Sequence, residues 1–385
     1  MEVVYLKKTS RILNGHLWVF QNEIAGSLKK YEPGTIVELR DRKDQFLGIG
    51  YINPHSLITI RLLTRRKERI NRSFFESRIK DAISYRQRVL PSIDSCRLIY
   101  SESDLLSGLI VDKYSDWLVI QSLTAGMDRY LPEIIDILES LIKPSTLFIK
   151  NDSPLRGLER LELKTEFVKG TAESPPVIKE GNIYLKVDPV HGQKTGFFLD
   201  QRENRLFLSG LIKGGTGLDL FCYSGAWGLQ LARNGADVLF IDDSEKALMM
   251  ARENAELNNL SERCSFLKTD VFDYLNKIKQ KEYDFIILDP PAFVKSRSKI
   301  EEAIKGYRFI NSVCMSLLKK GGIMATSSCS HHISREVFLD ILRQAARGAG
   351  RTIRIIEFRS QAKDHPVLLQ VPETEYLKCA ILEVL

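Results

Sequence analysis

The 385 residues are enough for two or three domains with buried cores, and the 27% charged content is typical of a soluble globular chain. No apolar run reaches membrane-spanning length and the N-terminus lacks a signal-peptide core, so we expect a cytoplasmic protein that contacts no membrane. Residues 1–90 contain 18 Lys or Arg against 9 Asp or Glu, whereas the remaining residues contain 38 against 40. Positive charge concentrated in one module indicates a phosphate-rich partner such as RNA.

The six cysteines show no CxxC pair and no regular spacing. We therefore expect reduced thiols and no structural metal site.

Residues 1–71 predict a small β-rich domain. Its strand-like segments are Thr35–Arg40, Phe46–Tyr51 and Leu57–Leu63. Four segments resemble PUA-type RNA-binding β-barrels: Gly15–Phe20, Asn22–Ile24, Gly48–Pro54 and Arg61–Leu63. Basic side chains that could contact phosphates as a group are Arg11, Lys29, Lys30, Arg42, Lys43, Arg65, Arg66 and Lys67.

Residues 72–182 predict an α/β middle domain without a catalytic constellation. Residues 72–90 have the pattern of a basic amphipathic helix. The other predicted elements are strands at Leu98–Tyr100, Gly108–Asp112, Trp117–Ser122, Thr146–Lys150 and Glu166–Lys169, and a helix at Tyr130–Ile142. The turn-rich segment Thr171–Pro176 is a candidate linker.

Residues 183–385 predict a doubly wound, Rossmann-like α/β domain. Ile183–Val187 and Thr195–Leu199 have the pattern of a strand pair, and a helix is expected to begin at Asp200. The later predicted strands are Thr216–Phe221, Val238–Ile241, Cys264–Lys268, Asp284–Leu288, Gly322–Ser327, Ile353–Phe358 and Tyr376–Leu382. The predicted helices between them are Ala226–Asn234, Ser244–Asn259, Val271–Lys279, Glu301–Leu318 and Ser334–Ala346. Ligands of such sheets bind at the carboxyl ends of the strands.

The first two of these later strands have the layout of a nucleoside site. Asp219 lies near the end of one strand, Gly225 permits a sharp turn into a helix, and Asp242 ends the next strand 23 positions after Asp219. The paired glycines that bring backbone close to a pyrophosphate are absent. A nucleoside without phosphates, such as S-adenosylmethionine, therefore fits better. Asp270 ends the third strand and could meet an adenine edge.

Two further strand ends have candidate catalytic residues. Asp289 follows the fourth strand, and the two prolines after it fix the backbone that holds the carboxylate. Cys329 follows the fifth strand, so we expect it beside Asp289 at the same sheet edge. His331, His332 and Arg335 follow Cys329 closely, and such surroundings lower the pKa of a thiol.

A thiol is what the 5-methylation of a pyrimidine requires. Thiolate addition at C6 lets C5 attack a sulfonium methyl group, and loss of the C5 proton then expels the sulfur. Asp289 would bind cytosine N4–H or the proton on N3. The sequence does not identify the base that removes the C5 proton; Glu375 and the two histidines are candidates.

With these motifs, the chain resembles the RlmI-type class I rRNA methyltransferase family over essentially its full length. The segments that carry the resemblance are Gly196–Arg202, Asp219–Gly225, Asp242–Ser244, Asp289–Phe293, Gly306–Tyr307, Ser328–His332 and Asp364–Pro366. The resemblance implies S-adenosylmethionine-dependent 5-methylation of a cytosine in 23S rRNA, naked or in an assembling large subunit. It also implies homodimers.

The predicted cofactor-binding residues combine this resemblance with Asp270. They are Phe198, Gln201, Arg202, Asp219, Phe221, Tyr223, Ser224, Gly225, Asp242, Ser244, Asp270, Asp289 and Pro290. Ser224 stands where the family often has Thr, and Ala226-Trp227 replaces a Gly-aromatic pair. No cysteine follows the Asp-Pro-Pro motif directly. Cys329 must therefore be the only thiol in the reaction, or another residue must act as the base.

Two other functions match parts of the sequence. Asp-Pro-Pro with a nearby aromatic residue also resembles the motif with which methyltransferases bind exocyclic amines. A related rRNA guanine methyltransferase shares the Phe-Phe-Leu-Asp turn. Methylation of a purine nitrogen would need no thiol. A non-catalytic RNA-binding ribosome assembly factor is the third interpretation, which the intact Asp219, Asp242 and Asp289 disfavour.

Overall fold

The computed structural model describes residues 1–278, 282–293 and 299–385, which form two compact units. Unit 1 consists of Met1–Pro176, Val187–Leu199 and Lys363–Thr374, and unit 2 consists of Val177–Lys186, Asp200–Ala362 and Glu375–Leu385. The predicted domain boundaries at 71/72 and 182/183 remain predictions. Among the described residues, no helix has the length and apolar character needed to span a bilayer.

The N-terminal part of unit 1 is a five-stranded sheet. Its elements are β1 (Glu2–Tyr5), α1 (Ser10–Leu13), β2 (Trp18–Phe20), β3 (Thr35–Arg40), β4 (Phe46–Ile52) and β5 (Ile58–Thr64). The strand order is β1-β3-β4-β5-β2, and only β1 and β3 run parallel. Val19, Val37 and Ile60 are fully buried in the core of this sheet. The three predicted strands are confirmed.

A second five-stranded sheet follows in unit 1. Its elements are α2 (Arg72–Val89), β6 (Cys96–Tyr100), β7 (Leu109–Tyr114), β8 (Trp117–Ser122), α3 (Ala125–Arg129), α4 (Leu131–Ile142), β9 (Thr146–Asn151), α5 (Leu155–Leu158) and β10 (Lys164–Lys169). The order is β10-β9-β8-β7-β6. Asn71 begins α2 by accepting a hydrogen bond from the amide of Phe74, which caps the helix. Phe75 and Ile79 of α2 share one buried cluster with Ile134 of α4.

Unit 2 contains a two-stranded hairpin and a seven-stranded sheet. Its strands are β11 (Val177–Glu180), β12 (Ile183–Lys186), β13 (Thr216–Leu220), β14 (Asp237–Asp242), β15 (Cys264–Lys268), β16 (Tyr283–Leu288), β17 (Leu318–Ser328), β18 (Ile353–Arg359) and β19 (Lys378–Val384). Its helices are α6 (Arg202–Leu211), α7 (Ala226–Arg233), α8 (Glu245–Leu257), α9 (Val271–Lys277), α10 (Ile300–Ser316) and α11 (Arg335–Gly348). The predicted α/β alternation is confirmed; residue 279, the last of the predicted helix at Val271, lies outside the described residues.

The order of the large sheet decides which strand ends meet. It is β15-β14-β13-β16-β17-β19-β18, parallel from β15 to β17, with β19 and β18 antiparallel. The helices α6, α7 and α8 pack together, as do α9, α10 and α11, which is the layering of a doubly wound fold. Leu220 pairs with Ile241 and Leu288, and Leu288 pairs with Thr326. The carboxyl ends of β14, β13, β16 and β17 therefore form one continuous edge.

One predicted strand is wrong. Thr195–Leu199 contains no strand; it is a turn segment that leads into a short 3-10 turn, Leu199–Gln201, before α6. The strand at Ile183 pairs instead with β11. Phe197 and Leu199 are each only 2% exposed, so their apolar character reflects burial without strand pairing. The helix predicted from Asp200 is confirmed, with its α-helical part beginning at Arg202.

Candidate active site

The turn between β13 and α7 has an unusual backbone. Phe221 (φ 60°) and Tyr223 (φ 47°) both adopt the left-handed region, which costs non-glycine residues roughly 1–3 kcal/mol each. Gly225 (φ 78°) follows, and a side chain there would place its Cβ 3.1 Å from Cβ of Ala251. The buried Ser224 is fixed through its carbonyl oxygen, which accepts a hydrogen bond from Asn254 Nδ2 at 3.0 Å. Such strain is typical of turns that bind a ligand.

Asp219 lies beneath this turn and is completely buried. Neighbouring Leu218 and Leu220 belong to the cluster formed with α9, α10 and α11, so Asp219 faces the opposite side of the sheet. One of its carboxylate oxygens accepts a hydrogen bond from the amide of Gly228 at 2.9 Å. The other, Oδ1, is buried and has no hydrogen-bond partner among the described residues.

Burial raises the pKa of Asp219 to about 8; the hydrogen bond from the Gly228 amide opposes the rise, and the negative charges of Asp289 and Asp242 add to it. A carboxyl group in this state gains from a nearby cation. The site therefore favours a positively charged ligand.

Asp242 ties the turn to the adjacent strand. Its two oxygens accept hydrogen bonds from the amides of Tyr223 (3.0 Å) and Ser244 (2.9 Å), and Ser244 Oγ in turn caps α8 through the amide of Ala247. Partial burial raises the pKa of Asp242, and the hydrogen bonds from the two amides lower it. Each carboxylate oxygen has two lone pairs, so both oxygens can still accept a hydrogen bond from a ligand hydroxyl.

Asp289 is held by two side chains from other elements. Its Oδ1 accepts a hydrogen bond from Gln201 Nε2 at 2.9 Å, and its Oδ2 accepts one from Trp227 Nε1 at 3.0 Å. Gln201 Nε2 also donates to Ser327 Oγ at 3.1 Å, which joins the ends of β16 and β17. Burial raises the pKa of Asp289, and Asp200 adds to the effect, although both donors oppose it. The carboxylate therefore has a fixed orientation.

Cys329 follows β17 directly and is partly exposed. Because Asp289 follows the parallel neighbour β16, both residues lie at the same sheet edge, as predicted. The Tyr307 hydroxyl of α10 accepts a hydrogen bond from Ser328 Oγ at 3.2 Å, and its pKa is raised by burial and by the charge of Cys329. Tyr307 therefore lies within electrostatic range of the thiol.

The basic residues that follow Cys329 in the sequence have other contacts. The Arg335 guanidinium lies over the Phe358 ring at 4.5 Å, and the His331 ring packs against Tyr376 at 5.7 Å. His332 is exposed, as is Glu375, the other base suggested by the sequence.

The remaining predicted site residues occupy different positions. Pro290 is buried directly after Asp289, and Arg202 is buried at the first position of α6. Asp270 is exposed, and one of its oxygens caps α9 through the amide of Asp273 at 2.9 Å. Phe198 belongs to unit 1, where Lys194 Nζ lies 4.4 Å from the centre of its ring.

Two residues of this site were not identified in the sequence. Trp227 was treated only as a departure from the family pattern, although a buried indole usually donates its N–H to a partner. Lys378 begins β19 opposite Ser328, and its Nζ donates to the carbonyl oxygens of Ser330 and Tyr376, both at 2.6 Å. A lysine at the start of a largely apolar strand is the signal that could have identified it.

These residues fit S-adenosylmethionine, which has a sulfonium cation and no phosphate. The strained turn brings backbone close to a ligand, Asp242 can accept ribose hydroxyls, and Asp219 has an unused buried oxygen. The pKa values of Asp219, Asp242 and Asp289 are all raised, so a positively charged ligand is favoured at each of them.

Comparisons with known proteins agree with this geometry. Residues 4–65 match the PUA-like domain family, and residues 156–375 match the S-adenosylmethionine-dependent methyltransferase family. The chain is 36% identical over 381 residues to the ribosomal RNA large subunit methyltransferase I of Pseudoalteromonas atlantica, covering 97% of this chain and 96% of that protein. The protein of the same name from Escherichia coli O157:H7 is 35% identical over 377 residues, with 95% of each chain covered.

Solved structures share the fold. An S-adenosylmethionine-dependent methyltransferase from Streptococcus mutans superposes with a TM-score of 0.85 at 21% identity over the full length of both chains. A methyltransferase crystallised with S-adenosylhomocysteine gives the same TM-score at 20% identity, covering 100% of this chain and 99% of that one. The Rossmann-like fold, the PUA-like N-terminal domain and the cofactor S-adenosylmethionine are thus confirmed.

Proposed function

Because the chain belongs to the family of ribosomal RNA large subunit methyltransferases I, we propose that it methylates C5 of a cytosine in 23S rRNA. The observation that carries the cytosine proposal is the placement of a thiol, Cys329, and a partly buried carboxyl group, Asp289, at the ends of two adjacent parallel strands. A purine-nitrogen methyltransferase would not use the thiol. We also propose that the enzyme acts in the cytoplasm, on naked rRNA or on an assembling subunit, and that it forms homodimers.

The cofactor would be held by residues at the ends of β13 and β14. Gly225 and the strained Phe221 and Tyr223 would let backbone approach the nucleoside, Asp242 would accept the ribose hydroxyls, and Asp219 would face the positive charge. When bound, S-adenosylmethionine supplies an electrophilic methyl group. The other predicted contacts remain predictions from the sequence: Phe198, Gln201, Arg202, Ser224, Ser244, Asp270, Asp289 and Pro290.

Cys329 would supply the nucleophile. Its thiolate sulfur forms a bond to C6 of cytosine, and the C5=C6 electron pair moves so that C5 becomes nucleophilic. C5 then takes up the methyl group. Removal of the C5 proton restores the double bond and expels the sulfur as thiolate, so one proton leaves for each methyl group gained.

Asp289 would orient the base. Burial raises its pKa, and its position is fixed by hydrogen bonds from Gln201 and Trp227. A protonated or hydrogen-bonded carboxyl group beside N3 and N4 stabilises the electron-rich adduct formed at C6. Placement by two rigid donors means that little reorganisation is needed during the reaction.

The RNA would be held by basic side chains of unit 1. A groove of about 690 Å³ lies between the end of β5 and the first turns of α2 and is lined by Arg65, Arg66, Arg69 and Arg78. None of these four forms a salt bridge within the residues that the structure describes, although Glu68 and Asp81 also line the groove. Guanidinium groups that outnumber the nearby carboxylates and form no salt bridge with them are suited to binding phosphates.

The experiment is to incubate the protein with labelled S-adenosylmethionine and 23S rRNA from a strain that lacks the enzyme, and to identify the labelled nucleoside by mass spectrometry. We expect 5-methylcytidine, and we expect Cys329→Ala to abolish its formation while cofactor binding is retained. Cys264→Ala is the matched control, because Cys264 is the other partly exposed cysteine and lies at the start of β15. A labelled purine, or full activity of Cys329→Ala, would exclude the cytosine mechanism.

A further inference from the structure

Lys378 is a buried lysine beside the proposed nucleophile. It begins β19 opposite Ser328 of β17, the residue that immediately precedes Cys329. Its side chain is fixed because Nζ donates hydrogen bonds to the carbonyl oxygens of Ser330 and Tyr376, both at 2.6 Å. Only 7% of the residue is exposed. The amino group is therefore held next to the segment Ser328–Ser330, which contains Cys329.

A lysine in this position needs a reason, because lysines are rarely buried unless they are paired. An ammonium group has three donors, and two of those of Lys378 are used by carbonyl oxygens. Within the described residues no carboxylate forms a salt bridge with it. Burial lowers the pKa of Lys378 to about 8, while the charges of Cys329 and of exposed Glu375 raise it. Cys329 and Lys378 thus interact electrostatically.

We propose that Lys378 is the positioning residue that keeps Cys329 ionised, taking the thiol proton and then stabilising the thiolate as an ammonium ion. The step balances: the S–H bond of Cys329 breaks, its electron pair stays on sulfur, and the proton forms a third N–H bond on neutral Lys378. The inference rests on the proposed function, since a thiolate is what attacks C6. Nucleophilic thiols are commonly activated by an adjacent base or cation.

Other titratable groups also lie near Cys329 in the structure or the sequence. Tyr307 approaches from α10, and its raised pKa keeps it a neutral phenol at physiological pH. Arg335 lies over Phe358 and His331 packs against Tyr376, whose hydroxyl donates to Asp200 at 2.5 Å. Glu375 is negative and favours the charged form of Lys378.

The test measures the ionisation of Cys329 directly. The protein without RNA is alkylated with iodoacetamide across a range of pH, and the rate at each cysteine is read by peptide mass spectrometry. We expect Cys329 to react with a midpoint below the ordinary thiol pKa of about 8.5. In Lys378→Met the midpoint should rise by about 1–2 pH units, so alkylation at pH 7 slows about 10- to 100-fold. In Lys378→Arg, which keeps the positive charge, the low midpoint should be restored.

Cys264 provides an internal control in the same experiment. Burial raises the pKa of the Cys264 thiol to about 12, with Asp219 and Asp237 adding to the effect, and no lysine is among its causes. Its alkylation should be slow and equal in all variants. An equal change at Cys264 would indicate general loosening of the fold and would overturn the inference.

Two further outcomes contradict the proposal: a wild-type midpoint at or above about 8.5, or the same Cys329 profile in wild type and in Lys378→Met. A high wild-type midpoint overturns the proposal even if Lys378→Met fails to fold, which cofactor binding and thermal unfolding would reveal; in that case Lys378→Arg, which should keep the low midpoint, is compared with wild type. Alkylation requires neither RNA nor methyl transfer. Failure of the cytosine proposal would appear in the labelled nucleoside, and failure of this inference would appear in the pH profile.

Discussion

The two compact units bury acidic side chains in different ways. In unit 1, buried or nearly buried carboxylates face guanidinium groups: Arg97 and Asp112 at 2.8 Å, Arg61 and Glu159 at 2.8 Å, and Arg86 and Asp104 at 2.5 Å. At the strand ends of unit 2, Asp219 and Asp289 instead accept hydrogen bonds from uncharged groups. Their pKa values are raised, whereas that of Glu159 is lowered.

The paired carboxylates of unit 1 stabilise the fold, whereas we assign Asp219 and Asp289 of unit 2 to the proposed function. Unit 2 also contains a buried ion pair, Arg205 with Glu180 at 2.6 Å, which joins α6 to the β11–β12 hairpin. Uncompensated carboxyl groups are therefore not a general property of unit 2 but are found at one edge of its sheet. Such groups favour cationic ligands and mark candidate sites for acid-base or electrostatic work. Four predictions would break or sharpen this comparison.

The largest expected effect concerns a paired carboxylate. In Arg97→Met, the completely buried Asp112 would lose its bidentate partner and keep only the hydroxyl of Thr195 at 2.5 Å. Removing one member of a buried pair typically lowers the free energy of unfolding by about 3–5 kcal/mol. Chemical denaturation would measure the loss. Arg263→Met is the control, because its salt bridge with Asp237 is exposed; equal losses in the two variants would contradict the comparison.

The next effect concerns Asp289, a carboxyl group whose hydrogen-bond donors are uncharged. Asp289→Asn should lower the rate of methyl transfer at saturating cofactor by about 10²–10³-fold, the usual consequence of losing one preorganised electrostatic group, with a smaller effect on cofactor binding. Single-turnover kinetics and calorimetry would measure the two quantities. The control is Asp284→Asn, at the opposite end of β16, where the carboxylate pairs with Lys319 at the surface. Equal rates in the two variants would remove Asp289 from the mechanism.

A third prediction concerns pH. Asp219 has a folded-state pKa of about 8, well above its unfolded value, so between about pH 4 and 8 the folded protein binds more protons than the unfolded chain. The contribution of Asp219 therefore makes the free energy of unfolding fall as pH rises, with a slope of up to about 1.4 kcal/mol per pH unit.

Asp219→Asn should remove that contribution, so the wild-type and variant stability curves converge toward low pH and separate toward pH 8. Denaturation of the ligand-free proteins at several pH values is the measurement. Parallel curves would show that Asp219 titrates normally.

The smallest effect concerns exposed charge. Replacing Arg66, Arg69 and Arg78 of the groove by Gln should reduce the slope of log affinity against log salt by about two, since each phosphate contact on single-stranded RNA contributes about 0.7. Fluorescence anisotropy with labelled RNA would measure it. A variant of equal charge, with Lys305, Arg343 and Arg347 of unit 2 replaced by Gln, serves as the control. An unchanged slope in the groove variant would place the RNA elsewhere.

The sequence predicted the large sheet well for a physical reason. Its strands are continuous apolar runs because they are buried on both faces, and turn residues end each run within one or two positions of the observed end. The same argument failed at Thr195–Leu199, where Phe197 and Leu199 are buried without joining a strand. Apolar character reports burial, and only pairing partners decide whether a buried segment is a strand.

The strand-end residues of the site were predictable, but the contacts that tune them were not. Asp289 depends on Trp227, 62 residues away, and on Gln201, 88 residues away. Lys378 reaches the Cys329 peptide only because β19 inserts antiparallel beside β17. The sequence placed the basic residues His331 and Arg335 near the thiol by proximity along the chain. In the fold the His331 ring packs against Tyr376 and the Arg335 guanidinium lies over Phe358, contacts that the sequence did not indicate. Long-range strand order decides these contacts.

The most direct test of the central claim uses RNA in which cytosine has fluorine at C5. The fluorine cannot be removed as a proton would be, so a thiolate bonded to C6 stays bonded after methyl transfer. We predict a covalent protein–RNA complex that survives denaturation, requires S-adenosylmethionine, and maps by peptide mass spectrometry to Cys329. Absence of a complex, or its formation in Cys329→Ala, would contradict the account.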